Sequence, residues 1–81
     1  MSPLQRTTFR ILVANHYGVL TKVAAAFARR ACNIIFLEVH ALTDDPSRSV
    51  ITAVAEDGKD TIRQVYNQLF KLEDVIELNI D

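Results

Sequence analysis

The chain has 81 residues, 49% of them hydrophobic and 23% charged, with nine Lys plus Arg against ten Asp plus Glu and a formal charge of −1. That length admits one domain and excludes a multi-domain enzyme, and the composition excludes disorder, collagen and low-complexity linkers. The near-neutral, scattered charge implies no nucleic-acid partner, and the single Cys32 excludes a disulfide framework.

The first expected element is a strand over Thr7–Ala14, where Phe9, Ile11 and Val13 alternate with Arg10 and Leu12. Asn15-His16-Tyr17-Gly18 interrupts it, and Leu20, Val23, Phe27 and Ala31 then recur at helical steps, predicting a helix from about Gly18 to Ala31. Arg29 and Arg30 fall in its last turn, favourably placed against the helix dipole. Asn33 opens an apolar, β-branched run to Leu42 that reads as a second strand. Thr43-Asp44-Asp45-Pro46-Ser47-Arg48 is a polar turn, and Ser49–Ala55 returns as a third strand, making a hairpin. Asp57 is placed to cap a second helix, with Asp60 near its positive end; Ile62, Val65, Tyr66 and Leu69 mark one face as far as Lys71 or Leu72. Asp74–Ile80 alternates Ile76, Leu78 and Ile80 with Glu77 and Asn79 and supplies the last strand.

The order βαββαβ, with right-handed crossovers, puts both helices on one face of the sheet. The expected fold is α+β and ferredoxin-like: a four-stranded antiparallel sheet with two helices on one face, in a single domain over residues 1–81. Strict alternation sends Ile34 and Phe36 to one face of the second strand and Ile35, Leu37 and Val39 to the other. Both faces are then partly apolar, so one seeks a cover or the edge seeks another strand. Apolar burial contributes about 125 kcal/mol for a chain this small, against about 120 for conformational ordering, so self-association would help it fold.

Catalytic constellations are nearly absent. His16, Cys32 and His40 have no metal-ligand spacing, no Gly-x-Ser-x-Gly turn occurs, and Asp44 and Asp45 read as turn residues. No catalytic residue, metal or cofactor is expected. RNA-binding domains share this element order, but their third strand carries stacking aromatics, and Ser49–Ala55 has none. No stretch of eighteen apolar residues crosses a membrane and the start lacks signal-peptide form, so no membrane partner and a cytoplasmic location are expected. The distinctive feature is the junction Asn15-His16-Tyr17-Gly18-Val19-Leu20, where a helix start can offer backbone N–H groups to a carboxylate, or Asn15 and Gly18 can simply make the turn.

Asn15-x-x-Gly18-Val19-Leu20, Arg30-x-x-Asn33-Ile34, Thr43-Asp44-Asp45-Pro46, Ser47-Arg48, Ile51-Thr52 and Gln68-Leu69-x-Lys71-Leu72-x-Asp74-Val75 stand in order along the chain. Together they resemble the ACT domain that begins acetolactate synthase (acetohydroxyacid synthase) small regulatory subunits, from about Phe9 to Ile80. The resemblance implies a non-catalytic module in branched-chain amino-acid biosynthesis, a homodimer or higher homo-oligomer that modulates an acetolactate synthase catalytic subunit. It implies that two copies pair into an eight-stranded sheet and hold a small amino-acid effector, typically valine, between them. Asn15, Gly18, Val19 and Leu20 of one copy would form one side of that site, and Asn33 and Ile34 of the other copy the second. Tyr17 stands where family members carry Pro or a small residue and would fill or reshape the pocket. The alternative is an interaction module whose ligand is lost or changed. Ala31 and Cys32 replace the usual Gly and aromatic before Asn33, and Ile35 and Phe36 replace the usual Glu and Ser after it. The C-terminal domain of the family's longer members is expected to be absent.

Overall fold

The structure is a computed structural model and describes residues 3–15 and 18–81. Its elements are β1 (Leu4–Ala14), α1 (Val19–Ala28), β2 (Ile34–Ala41), β3 (Arg48–Gly58), α2 (Lys59–Phe70) and β4 (Val75–Ile80). The four strands form one antiparallel sheet in the order β2-β3-β1-β4, the expected ferredoxin-like arrangement.

The core lies between the helices and one face of the sheet. Phe9, Ile11 and Val13 of β1 and Ile51, Ala53 and Ala55 of β3 alternate onto that face and are fully buried, as the period of two requires. Phe9 sits beside Ala53 in the register, and the ring of Phe27 from α1 meets Phe9 edge to face, with centroids 5.2 Å apart. Helix α2 adds Ile62, Val65 and Leu69, one stripe at helical spacing.

The opposite face mixes charged pairs with the apolar side chains of Leu12, Phe36, Val50 and Val54. Arg6 pairs with Glu56 at 3.0 Å and Arg10 with Asp81 at 3.1 Å, while Glu38 and His40, two apart on β2, bond to each other. Both faces are thus partly apolar, but the β2 residues divide between them differently from the expected alternation, because of a register shift between Ile34 and Phe36. Ile34 pairs with Ala55, Leu37 with Ala53 and Val39 with Ile51, so these three share the helix side, whereas Phe36 pairs with Val54 on the open side. No alternation count could locate that irregularity. What β2 leaves uncovered is its edge: Ile35, Phe36, Leu37 and Val39 are each between 42% and 49% exposed.

The larger boundary differences from the sequence pattern each have a physical reason. β1 starts at Leu4 and β3 runs on to Gly58 because the polar ends Leu4–Arg6 and Glu56–Gly58 pair with each other. Asp57 therefore lies in a strand. Gly58 is the N-cap of α2 with no side-chain cap, and the Asp57 carboxylate instead accepts the N–H groups of Gly58 at 2.8 Å and Asn33 at 3.3 Å. Helix α1 ends at Ala28, short of Arg29 and Arg30, because Ala31 turns to φ +51°. The Ala31 N–H then bonds the Ala28 carbonyl and the Cys32 N–H the Phe27 carbonyl, both at 3.0 Å, which is a Schellman closure.

Schellman closures favour glycine at the left-handed position, and here a Cβ occupies it. Replacing Ala31→Gly is expected to raise the unfolding free energy by about 1 kcal/mol, the steric cost of a left-handed L-residue less the added chain entropy of glycine. Urea unfolding of the two proteins side by side measures it; an unchanged or lower midpoint would refute the assignment.

Candidate functional site

The loop that leaves β1 is held in place by the β2–β3 hairpin. Asn15 donates its backbone N–H to the Ser47 carbonyl at 2.7 Å and its side-chain amide to the Pro46 carbonyl at 3.2 Å. The hairpin is itself tied by Asp45, whose carboxylate accepts the Ser47 N–H and hydroxyl and pairs with Arg48 at 3.4 Å. The Ser47 hydroxyl, seconded by its N–H and the charge of Arg48, holds the Asp45 carboxyl below the usual range. Asp74, just before β4, accepts the Ala14 N–H through its carbonyl at 2.9 Å and the Lys22 ammonium through its carboxylate at 3.1 Å. The Asp-Asp-Pro and Asp-Val segments thus act as clamps around the end of β1 and the first turn of α1. Their residue types signalled turns in the sequence, but not which neighbour they would hold.

Gly18 is the N-cap of α1 at φ +77°, ψ 3°. A Cβ built there meets nothing within 4 Å, so the backbone conformation, and no close neighbour in this chain, selects glycine. Among the described residues no side-chain hydrogen bond caps the start of α1. The Val19 side chain is 6% exposed and belongs to the core, so only its backbone can face a ligand; Leu20, 40% exposed, presents its side chain outward. His16 and Tyr17 lie outside the described residues, and the expectation that Tyr17 fills or reshapes a pocket falls there.

Asn33 and Ile34 are elsewhere. Asn33 is exposed, its N–H held by Asp57 and its carbonyl by the Glu56 N–H at 2.9 Å, and Ile34 is half-buried against the core. Cys32 beside them is buried, and desolvation, with the charge of Asp57 second, raises its thiol pKa above the ordinary value, which disfavours the nucleophilic thiolate. The register places these residues at the opposite end of the sheet from Asn15. Ala14 is level with Arg48, while Ile34 is level with Ala55 and, across β3, with Thr7. Seven residues of strand, roughly 20–25 Å, separate the two groups within one chain. The structure brings Asn15, Gly18, Val19 and Leu20 together, and Asn33 with Ile34, but not the one group with the other.

Among the described residues, no group of three His, Cys, Asp or Glu side chains could hold a metal, and no helix is long and apolar enough to cross a membrane.

Residues 9–77 match the family described as the AHAS small subunit-like ACT domain. The chain is 38% identical over 73 residues to an acetolactate synthase small subunit of Haemophilus influenzae, covering 90% of this chain and 44% of that protein. It is 43% identical over 78 residues to one of Mycobacterium bovis, covering 96% and 45%. Among solved structures, the acetolactate synthase small subunit of Thermotoga maritima superimposes with a TM-score of 0.81 at 32% identity, covering 94% of this chain and 47% of that one. The chain thus spans under half the length of the relatives it matches.

Two outcomes test the loop's construction. Gly18→Ala is expected to lower stability by about 1–2 kcal/mol through backbone strain alone, measured by urea unfolding, and a neutral result would show that the loop relaxes freely. A carboxylate whose pKa is depressed on folding contributes stability above its unfolded value, about 3.9, and loses it as pH falls through the lower folded value. Carbon-detected titration should therefore find Asp45 protonating below that value, and Ser47→Ala should move its midpoint upward; a midpoint indifferent to Ser47 would remove the clamp.

Proposed function

This chain belongs to the family of AHAS small subunit-like ACT domains, and from that membership we propose that it is a non-catalytic regulatory module. It binds a small, valine-like amino acid between two of its copies. Through that site it modulates a separate acetolactate synthase catalytic subunit in the cytoplasm, in the synthesis of branched-chain amino acids.

The observation that carries the reading is the separation of the two residue groups across the sheet, combined with the apolar edge of β2. A single chain cannot close its own site. An antiparallel pairing of β2 with the β2 of a second copy would set the start of one strand against the end of the other. Asn33 and Ile34 of one copy then come to the end of the sheet where the partner copy's first loop and α1 begin. The same pairing satisfies the open edge and shelters Leu37 and Val39, adding the burial that a chain of this size lacks.

In such a site the uncapped N–H groups at the start of α1 receive the effector carboxylate, favoured by the helix dipole. The Asn33 amide bonds the polar end, and Leu20 and Ile34 accept the alkyl group. An effector held by both copies binds the pair and not the single chain, so it stabilises the pairing and biases whichever state of the catalytic assembly the pair fits.

Isothermal titration of valine, leucine and isoleucine into the purified protein, alone and with catalytic subunit, is expected to show heat for at least one of them; silence from all three in both settings would overturn the effector reading. Asn33→Ala should weaken that binding roughly tenfold, the loss of a buried polar contact. Leu37→Lys with Val39→Lys, placing charge on the edge of β2, should shift sedimentation to the monomer and abolish effector binding while circular dichroism stays native.

A further inference from the structure

A strand that pairs with its own copy can do so in several registers, and the side chains of β2 choose among them. Leu42 donates its N–H to the Arg48 carbonyl at 3.0 Å. At even steps before it, Phe36, Glu38 and His40 also turn their backbone groups to β3, whereas Leu37, Val39 and Ala41 turn theirs to the outer edge of the sheet. A two-fold axis through the sheet keeps helix side with helix side, so residues of like parity meet across the pair. Along the middle of β2 such an axis can pass at Leu37, Glu38, Val39 or His40.

Charge separates these choices. Glu38 and His40 lie side by side on the open face, His40 Nε2 2.5 Å from Glu38 Oε1, and both side chains are exposed. An axis at Glu38 sets two carboxylates directly opposite each other, and one at His40 two imidazoles, which are unfavourable pairs when charged. An axis at Leu37 sets each carboxylate against the partner's Phe36. Only the axis at Val39 sets Glu38 opposite the partner's His40, twice over by symmetry. On the helix side it faces Val39 with its own copy and Leu37 with the small Ala41. It also carries the start of β2 level with the partner's Asp44–Asp45 turn, next to the Pro46 and Ser47 that hold Asn15.

We propose that β2 pairs with a second copy in this register, and that Glu38 and His40 of both copies form one four-membered charge cluster that makes the pairing proton-dependent. This rests on the β2 pairing of the regulatory reading and adds its register and its control. Each carboxylate lies between two imidazoles, one along its own strand and one directly across, at the closer spacing of a non-hydrogen-bonded pair. With the imidazoles protonated the signs alternate around the cluster; with them neutral the two carboxylates face each other uncompensated. Pairing therefore takes up protons, and the affinity present below the range in which imidazole titrates is lost as pH rises through it. Facing the cluster from the rest of the sheet are Thr52 and Val50 on β3, then Arg48, held by Asp45, Arg10 on β1, held by Asp81, and Glu77 on β4, with the Arg6–Glu56 pair farther along. Carboxylates and guanidinium groups ordinarily keep one charge between about pH 6 and 8, so the histidine sets the dependence.

Filtered NOE spectroscopy on a mixture of isotope-labelled and unlabelled chains reads the register, because a non-hydrogen-bonded pair brings its two Hα atoms together. The expected contact between copies is Glu38 Hα to His40 Hα; contacts of Glu38 with Glu38 or Phe36, or of His40 with His40, would overturn it. Sedimentation at about pH 6 and about pH 8 reads the linkage. The dimer dissociation constant is expected to be roughly tenfold lower at the lower pH, the worth of two exposed ion pairs. His40→Gln and Glu38→Gln should each abolish that difference, although both retain His16. A difference that survives in both variants, or is missing from the unaltered chain, would overturn the proton dependence and leave the β2 pairing standing. A chain that stays monomeric at both pH values would overturn the pairing itself and the two-copy effector site with it.

Discussion

Because β1 is hydrogen-bonded to β3 along one edge and to β4 along the other, its alternating side chains have two destinations only. The odd-numbered ones, Thr7 to Val13, go under the helices and are buried; the even-numbered ones go to the open face, where Arg6 and Arg10 form ion pairs. A slip of one residue would exchange these sets and bury both guanidinium groups, so the register is strongly fixed. The core and the placement of the charged pairs on the open face follow from that one strand.

The same register decides what a single chain can and cannot assemble. It carries Asn15 to one end of the sheet, where Ser47 and Pro46 hold it, and Asn33 to the other, where Asp57 and Glu56 hold it. Asn15 and Asn33 are thus each held by the chain's own hydrogen bonds, which lowers the entropic cost of completing the proposed effector site. The edge strand β2 exposes Ile35, Phe36, Leu37 and Val39.

The departures at the start of β2 also belong together. With Ala at position 31 in place of the usual glycine, the chain still makes the left-handed turn, closed by the bonds of Ala31 and Cys32 to the last turn of α1. Directly after it the bulge at Ile34–Phe36 sends Phe36 to the open face and Leu37 back to the helix side. Asp57 bridges Asn33, at the beginning of β2, to Gly58 at the start of α2.

The sequence by itself determined the element order, the fold class and most of the core, because alternation at Phe9-Ile11-Val13 and helical spacing at Ile62-Val65-Leu69 are local signals of burial. It also carried the resemblance through motifs such as Asn15-x-x-Gly18 and Asp74-Val75, since turn and clamp residues are chosen by local chemistry. What only the tertiary structure decided depends on partners far along the chain. The polar strand ends at Leu4–Arg6 and Glu56–Gly58 exist because they pair with each other. Asp57 serves Asn33 because β2 and β3 meet there, and the bulge in β2 arises in its register with β3. The distance between the two halves of the site follows from the strand order, which brings together residues some forty positions apart while holding Asn15 and Asn33 at opposite ends of one sheet.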